Sequence, residues 1–96
     1  MEKITDGQKI KFELWAPMMY WEDMEKAFKV KGLKKLPKLQ QHIVDWMRTE
    51  NGRGTIFDLK GTTFQQGEEY YVIQPDPHSI QLQFPKRYFE IERDEP

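Results

Sequence analysis

Ninety-six residues with a net charge of −1 and no cysteine predict one small domain without disulfides, thiol catalysis or thiolate metal sites. A chain of this length buries only roughly 60 to 65% of the surface its unfolded form exposes. The three Trp, four Tyr and six Phe are therefore its efficient core fillers.

The opening residues, MEKITDG, are polar, and no apolar run approaches the length of a membrane span, so a soluble cytoplasmic protein is expected. The net charge hides an asymmetry: residues 1–60 carry +3 and residues 61–96 carry −4. That polarity can orient a partner but is too small to imply nucleic-acid binding by itself.

Thr5, Asp6, Gly7 and Gln8 form a turn signal. After it Ile10, Phe12 and Leu14 alternate with Lys9, Lys11 and Glu13, which predicts a half-buried strand over residues 9–15. Pro17 opens a helix whose apolar stripe is Tyr20, Trp21, Met24 and Phe28, with Ala27. Glu22, Asp23 and Glu25 early, and Lys26, Lys29 and Lys31 late, suit its dipole, and Gly32 stops it. Pro37 opens a second helix with Leu39, Ile43, Trp46 and Met47 as its stripe, extended by Leu36 and ended by Asn51 and Gly52.

The rest reads as short strands separated by turns, over residues 54–60, 69–74, 79–84 and 87–92. Gln66, Gly67 and Glu68 make one turn, and Pro75, Asp76, Pro77 and His78 another. Tyr71 and Ile73 alternate with Tyr70, Val72 and Gln74. Ile80, Leu82 and Phe84 are expected to face the core, and Phe57 and Leu59 to face inward while Asp58 and Lys60 face water. Pro85 ends its strand, Phe89 and Ile91 form the last alternating run, and residues 93–96 read as a frayed tail.

The order of these signals resembles the plan of small Src-homology-3-like barrels. An Asp-Gly-Gln opening leads into a strand. Then come Gly54-x-Ile56, a strand ending in Tyr71-x-Ile73, a turn, another alternating strand and a closing Tyr-Phe-Glu-Ile. The resemblance covers about 50 residues, and the chain departs from it by an αα-hairpin of roughly 35 residues in the first long loop. It implies a binding module rather than an enzyme, and no binding residue of that family can be carried over.

The expected fold is therefore α+β. It comprises a small, mostly antiparallel bent sheet or partly open barrel of four or five strands, with an αα-hairpin between strands 1 and 2. A plain sandwich with the helices on one sheet face is the rival. Residues 1–96 form the single domain, the helical insertion spanning about 17–50 and the main strand region 53–92.

Chemistry is sparse. His42 lies three residues before Asp45 on a helix, but a metal site needs three or four convergent ligands. The plain reading is a helix-surface histidine. His78 beside Asp76 is explained by its turn. Asp58 and Lys60, with Asp45 upstream, are similar to a metal-dependent nuclease core. Asp45 falls on a helix where that core needs a strand end. No nucleophile triad or phosphate-cradling loop is present. No catalytic residue, cofactor or metal is expected.

Two surfaces are candidates. Met18, Met19 and Trp21 can form a protein-contact patch, because one small domain cannot bury every side of this helix. Lys26, Lys29, Lys31, Lys34, Lys35 and Lys38 form a basic cluster that can contact phosphates, against the plainer reading of a solvated face. The expected function is a non-enzymatic adaptor or regulator that binds another protein or itself, one form being a phage or mobile-element accessory protein such as an inhibitor. A nucleic-acid-binding barrel using the lysines is the alternative, and a small nuclease is third.

Overall fold

The computed structural model describes residues 8–92. The turn read at residues 5–8 falls mostly outside them, and the tail read at 93–96 falls wholly outside. Two compact units account for the described chain: residues 8–11 with 56–92, and residues 12–55. The architecture is α+β.

The first unit holds two three-stranded antiparallel sheets. In one, β1 (Lys9–Phe12) lies between β2 (Phe57–Asp58) and β6 (Phe89–Ile91). In the other, β4 (Glu68–Ile73) lies between β3 (Gly61–Gln65) and β5 (Leu82–Pro85). Neither sheet closes into a barrel, and among the described residues the strands number six where four or five were expected. Lys9 pairs with Asp58 and Ile10 with Phe57. Thr63 pairs with Tyr70, and Tyr70 in turn with Pro85.

The β3–β4 connection is a two-residue loop, Gln66 and Gly67, flanked by the Gln65–Glu68 pair. Both loop residues have positive φ, 52° and 79°, as a type I′ turn requires. That turn matches the twist of the flanking strands and fixes their register. Ile10, Phe57, Leu59, Tyr71, Ile73, Phe84 and Tyr88 are buried. Phe84 stacks near Tyr88 and Phe89 at centroid separations of 6.2 and 6.3 Å, and Tyr71 lies 5.8 Å from Phe89. Aromatic packing thus carries much of this core.

Phe57 and Leu59 are buried while Asp58 and Lys60 are exposed, as their alternation requires. Three other expectations change. The strand read over 54–60 is only two residues long, and the chain then re-enters strand as β3. Ile80 is 77% exposed rather than inward. It sits on a loop closed by the Ser79 N–H donating to the Asp76 carbonyl and by Gln74 Nε2 donating to the Ser79 carbonyl, so pairing begins only at Leu82. Val72 is buried as well as Tyr71 and Ile73, so β4 is covered on both faces there. Pro85 ends β5, and a 3₁₀ turn, Lys86–Tyr88, precedes β6.

The second unit holds α1 (Ala16–Phe28), a 3₁₀ turn (Leu33–Lys35), α2 (Lys38–Met47) and the short α3 (Glu50–Arg53). α1 packs on α2, and α2 on α3. Because α1 starts at Ala16, Glu22 and Asp23 lie mid-helix, and its first turn holds no acid. It ends at Lys29, in the left-handed region at φ 57°, before Gly32 is reached. Asn51 and Gly52 lie inside α3 rather than ending α2.

The helix stripes also rotate. Ala16 and Tyr20 are buried on α1, whereas Phe28 is 44% exposed. Val44 and Met47 are fully buried on α2, and Leu39 is 64% exposed. Gln40, Val44 and Met47 share one side of α2, and the Gln40 side chain hydrogen-bonds the Tyr20 hydroxyl of α1. Burial raises the Tyr20 phenol above its ordinary pKa, and the Gln40 contact partly offsets that. Phe12 and Trp46 meet edge to face at 5.7 Å.

Candidate functional site

The chain leaves β1 at Glu13, whose carbonyl accepts the Ala16 N–H, and Trp15 then becomes the N-cap of α1. The Trp15 carbonyl accepts the Met19 N–H at 2.9 Å, but its side chain makes no capping bond. Ser, Thr, Asp or Asn at this position would satisfy an orphan helix N–H, and an indole cannot accept one. Leu14, Trp15 and Met18 are 75%, 59% and 49% exposed. Three large apolar side chains within five residues thus open to solvent at one helix start.

Of the expected patch, Met18 is exposed while Met19 and Trp21 are half-buried. The Trp21 Nε1 is buried and has no hydrogen-bond partner among the described residues. Leu14 and Trp15 escaped the sequence reading because the alternation Ile10, Phe12, Leu14 runs on past the point where the backbone leaves the sheet. The usable signal was Pro17, which fixes the helical first turn and makes the residues before it the cap.

Lys26, Lys29, Lys31, Lys34, Lys35 and Lys38 are all exposed, strung from the last turn of α1 through the 3₁₀ turn to the first residue of α2. Among the described residues none of the six forms an ion pair. Glu25, the nearest preceding acid, is turned inward and accepts the Gly32 N–H. The cluster is therefore an open basic arc without arginine, with the half-exposed Phe28 between Lys26 and Lys29 its one aromatic ring.

Asp58 is bound to Lys9, its cross-strand partner. The hydrogen bond and charge of Lys9, and then the charge of Lys60, hold its carboxyl below the ordinary range. Asp45 is exposed on α2. Among the described residues no three acids, histidines or cysteines group to hold a metal ion. Asp58 and Lys60 both lie exposed on the strand face opposite Phe57 and Leu59. His42 is exposed, and the His78 N–H donates to Asp76 Oδ1 at 2.8 Å, the turn bond expected of that segment.

The sheet unit also has an open groove of about 610 Å³ lined by the start of β4, the 3₁₀ turn and β6. Its rim pairs Arg87 with Glu68 at 2.7 Å and Lys86 with Glu69 at 3.5 Å. Each cation on this rim therefore faces a carboxylate. Tyr71 forms part of the wall. Its hydroxyl is buried without a partner among the described residues, and burial with the nearby Glu69 carboxylate raises its pKa above the ordinary 10.0. The groove holds no nucleophile paired with a base. The two dipeptides Glu68-Glu69 and Lys86-Arg87 were its only trace in the sequence.

No helix among the described residues is long and apolar enough to cross a membrane. No family model, curated protein or solved structure matches the chain.

Proposed function

We propose that the chain is a non-enzymatic adaptor or regulator that binds another protein through Leu14, Trp15 and Met18 at the start of α1. The observation that carries this reading is Trp15 itself. A large exposed ring occupies a cap position where a small polar residue would stabilise the helix. Departures from local consistency of this kind concentrate where function opposes stability. Trp and Met are also enriched in interface cores, and a clustered aromatic anchor is the usual centre of binding energy.

The test separates stability from binding. Trp15→Ser supplies a capping hydroxyl and removes the ring, so the variant should gain about 0.5–1 kcal/mol in urea unfolding. It should also lose partners that wild type retains when immobilised and exposed to lysate of its own host. Equal retention by wild type and a folded Trp15→Ser, Leu14→Ala, Met18→Ala triple variant would refute the reading.

A second reading retains one specific observation, the six exposed lysines that form no ion pair among the described residues. On it the arc from Lys26 to Lys38 contacts a phosphate backbone, and affinity falls steeply with salt. Retention on a phosphate-bearing column at low salt, abolished by Lys34→Glu with Lys35→Glu, is expected there. Absence of retention removes this reading and leaves the first untouched.

A further inference from the structure

A sheet edge is a row of unpaired N–H and C=O groups, and soluble proteins blunt such rows with shortness, charge or proline. Among the described residues four strands are edges: β2, β6, β3 and β5. β2 has two residues and carries the exposed Asp58, and β6 has three with the exposed Glu90 at its centre. β5 ends in Pro85, which has no N–H.

β3 has none of these protections. Its five residues, Gly61-Thr-Thr-Phe-Gln65, include no charge and no proline, and Phe64 stands 73% exposed on it. The type I′ turn that follows holds the strand extended against β4, ready to accept a further strand.

We propose that β3 pairs antiparallel with β3 of a second copy of this chain, about a two-fold axis through Thr63, joining two three-stranded sheets into one of six. This register uses all five residues. Thr63 lies opposite the partner's Thr63, Thr62 opposite the partner's Phe64, and Gly61 opposite the partner's Gln65. One step further, Lys60 faces the partner's Gln66, so no like charges meet. Phe64 gains the partner's Thr62 as cross-strand cover, and threonine pairs are favourable on a pleated surface.

The symmetry is self-complementary, as a closed dimer requires. The strand is short, and its interface falls below the size of a permanent one. The dimer is accordingly weak, with a dissociation constant on the order of 10–100 μM. A foreign strand of unlike sequence would leave the purified chain monomeric.

Sedimentation of the wild type between roughly 5 and 500 μM should show the weight-average mass rising toward twice that of the chain, around the dissociation constant given above. Thr63→Lys and Thr63→Glu should each weaken dimerisation at least about tenfold by placing like charges opposite each other, and an equimolar mixture should restore it. The natural absence of cysteine adds a clean register test. On oxidation, Thr63→Cys should form a disulfide dimer at least about tenfold faster than Gln81→Cys, an exposed control outside the edge, because directly opposed strand residues lie within disulfide reach. A wild type monomeric throughout, a dimer indifferent to Thr63→Lys, or equal cross-linking of the two cysteine variants would each overturn the proposal. These outcomes leave the Trp15 test unaffected, since its variants retain β3.

Discussion

Tyr71→Phe should make this protein more stable, against the usual outcome for a buried tyrosine. Tyr71 is 1% exposed, and its hydroxyl has no partner among the described residues. A satisfied buried hydroxyl contributes about 0.5–1.5 kcal/mol and is missed when removed. An unsatisfied one has lost its water without compensation, at a cost of about 1–3 kcal/mol. Phe keeps the ring packed 5.8 Å from Phe89 and deletes only the orphan oxygen.

Urea unfolding at pH 7 should therefore show a gain of about 1–2 kcal/mol, with an upward shift in Tm of about 4–8 °C per kcal/mol for a domain of this size. The alkaline limb supplies a second reading. The folded state holds the Tyr71 proton more tightly than the unfolded chain does, because burial first and Glu69 second oppose ionisation. Its contribution is complete below pH 10 and is lost as pH rises from there through the higher folded value. Phe has no proton to lose, so the advantage of Tyr71→Phe should widen above pH 10. A loss of 1 kcal/mol or more at pH 7 would refute the reasoning, since only a hydrogen-bonded hydroxyl is missed in that way.

Two further outcomes follow from the backbone. A Cβ on Gly52 would lie 2.3 Å from the Trp46 carbonyl oxygen and 2.7 Å from the Met47 Cα, both main-chain atoms. Gly52→Ala should thus cost about 1–3 kcal/mol by thermal or urea unfolding, whereas Gly61→Ala, with open space around its Cβ, should lie within about 0.5 kcal/mol of wild type. Gln66 adopts positive φ in the type I′ turn, where Asn is favoured, so Gln66→Asn should raise the urea midpoint by about 0.5–1 kcal/mol equivalent without changing the m-value.

Phe57 and Leu59 were legible because there apolar alternation coincides with burial. The run from Tyr70 through Ile73 was legible as a strand from its aromatic and β-branched residues but not in its facing, since Tyr71, Val72 and Ile73 are all buried. β3 was illegible because it lies at a sheet edge and buries little. With Phe64 its only large apolar residue, and that one facing solvent, alternation has no contrast to display. Ile80 misled for the converse reason, since its spacing to Leu82 and Phe84 matches a strand that the Asp76–Ser79 loop delays to Leu82. On α2 the buried positions are Val44 and Met47 rather than Leu39, although all three are apolar and residue type alone does not separate them. Of the three members of the exposed apolar cluster, Met18 alone was legible. Leu14 and Trp15 were hidden by an alternation that outran the strand.

The pairing of Ile10 with Phe57 means that the whole helical segment hangs from what is, in ladder terms, the tip of a β-hairpin. Closing that hairpin across residues 11–56 as loose chain costs about 2 kcal/mol more loop entropy than a four-residue turn would. Helices form from near neighbours, so the segment can organise before its flanking strands meet and shorten the effective tether between them. Folding order is then written into connectivity: local helix first, distant ribbon second.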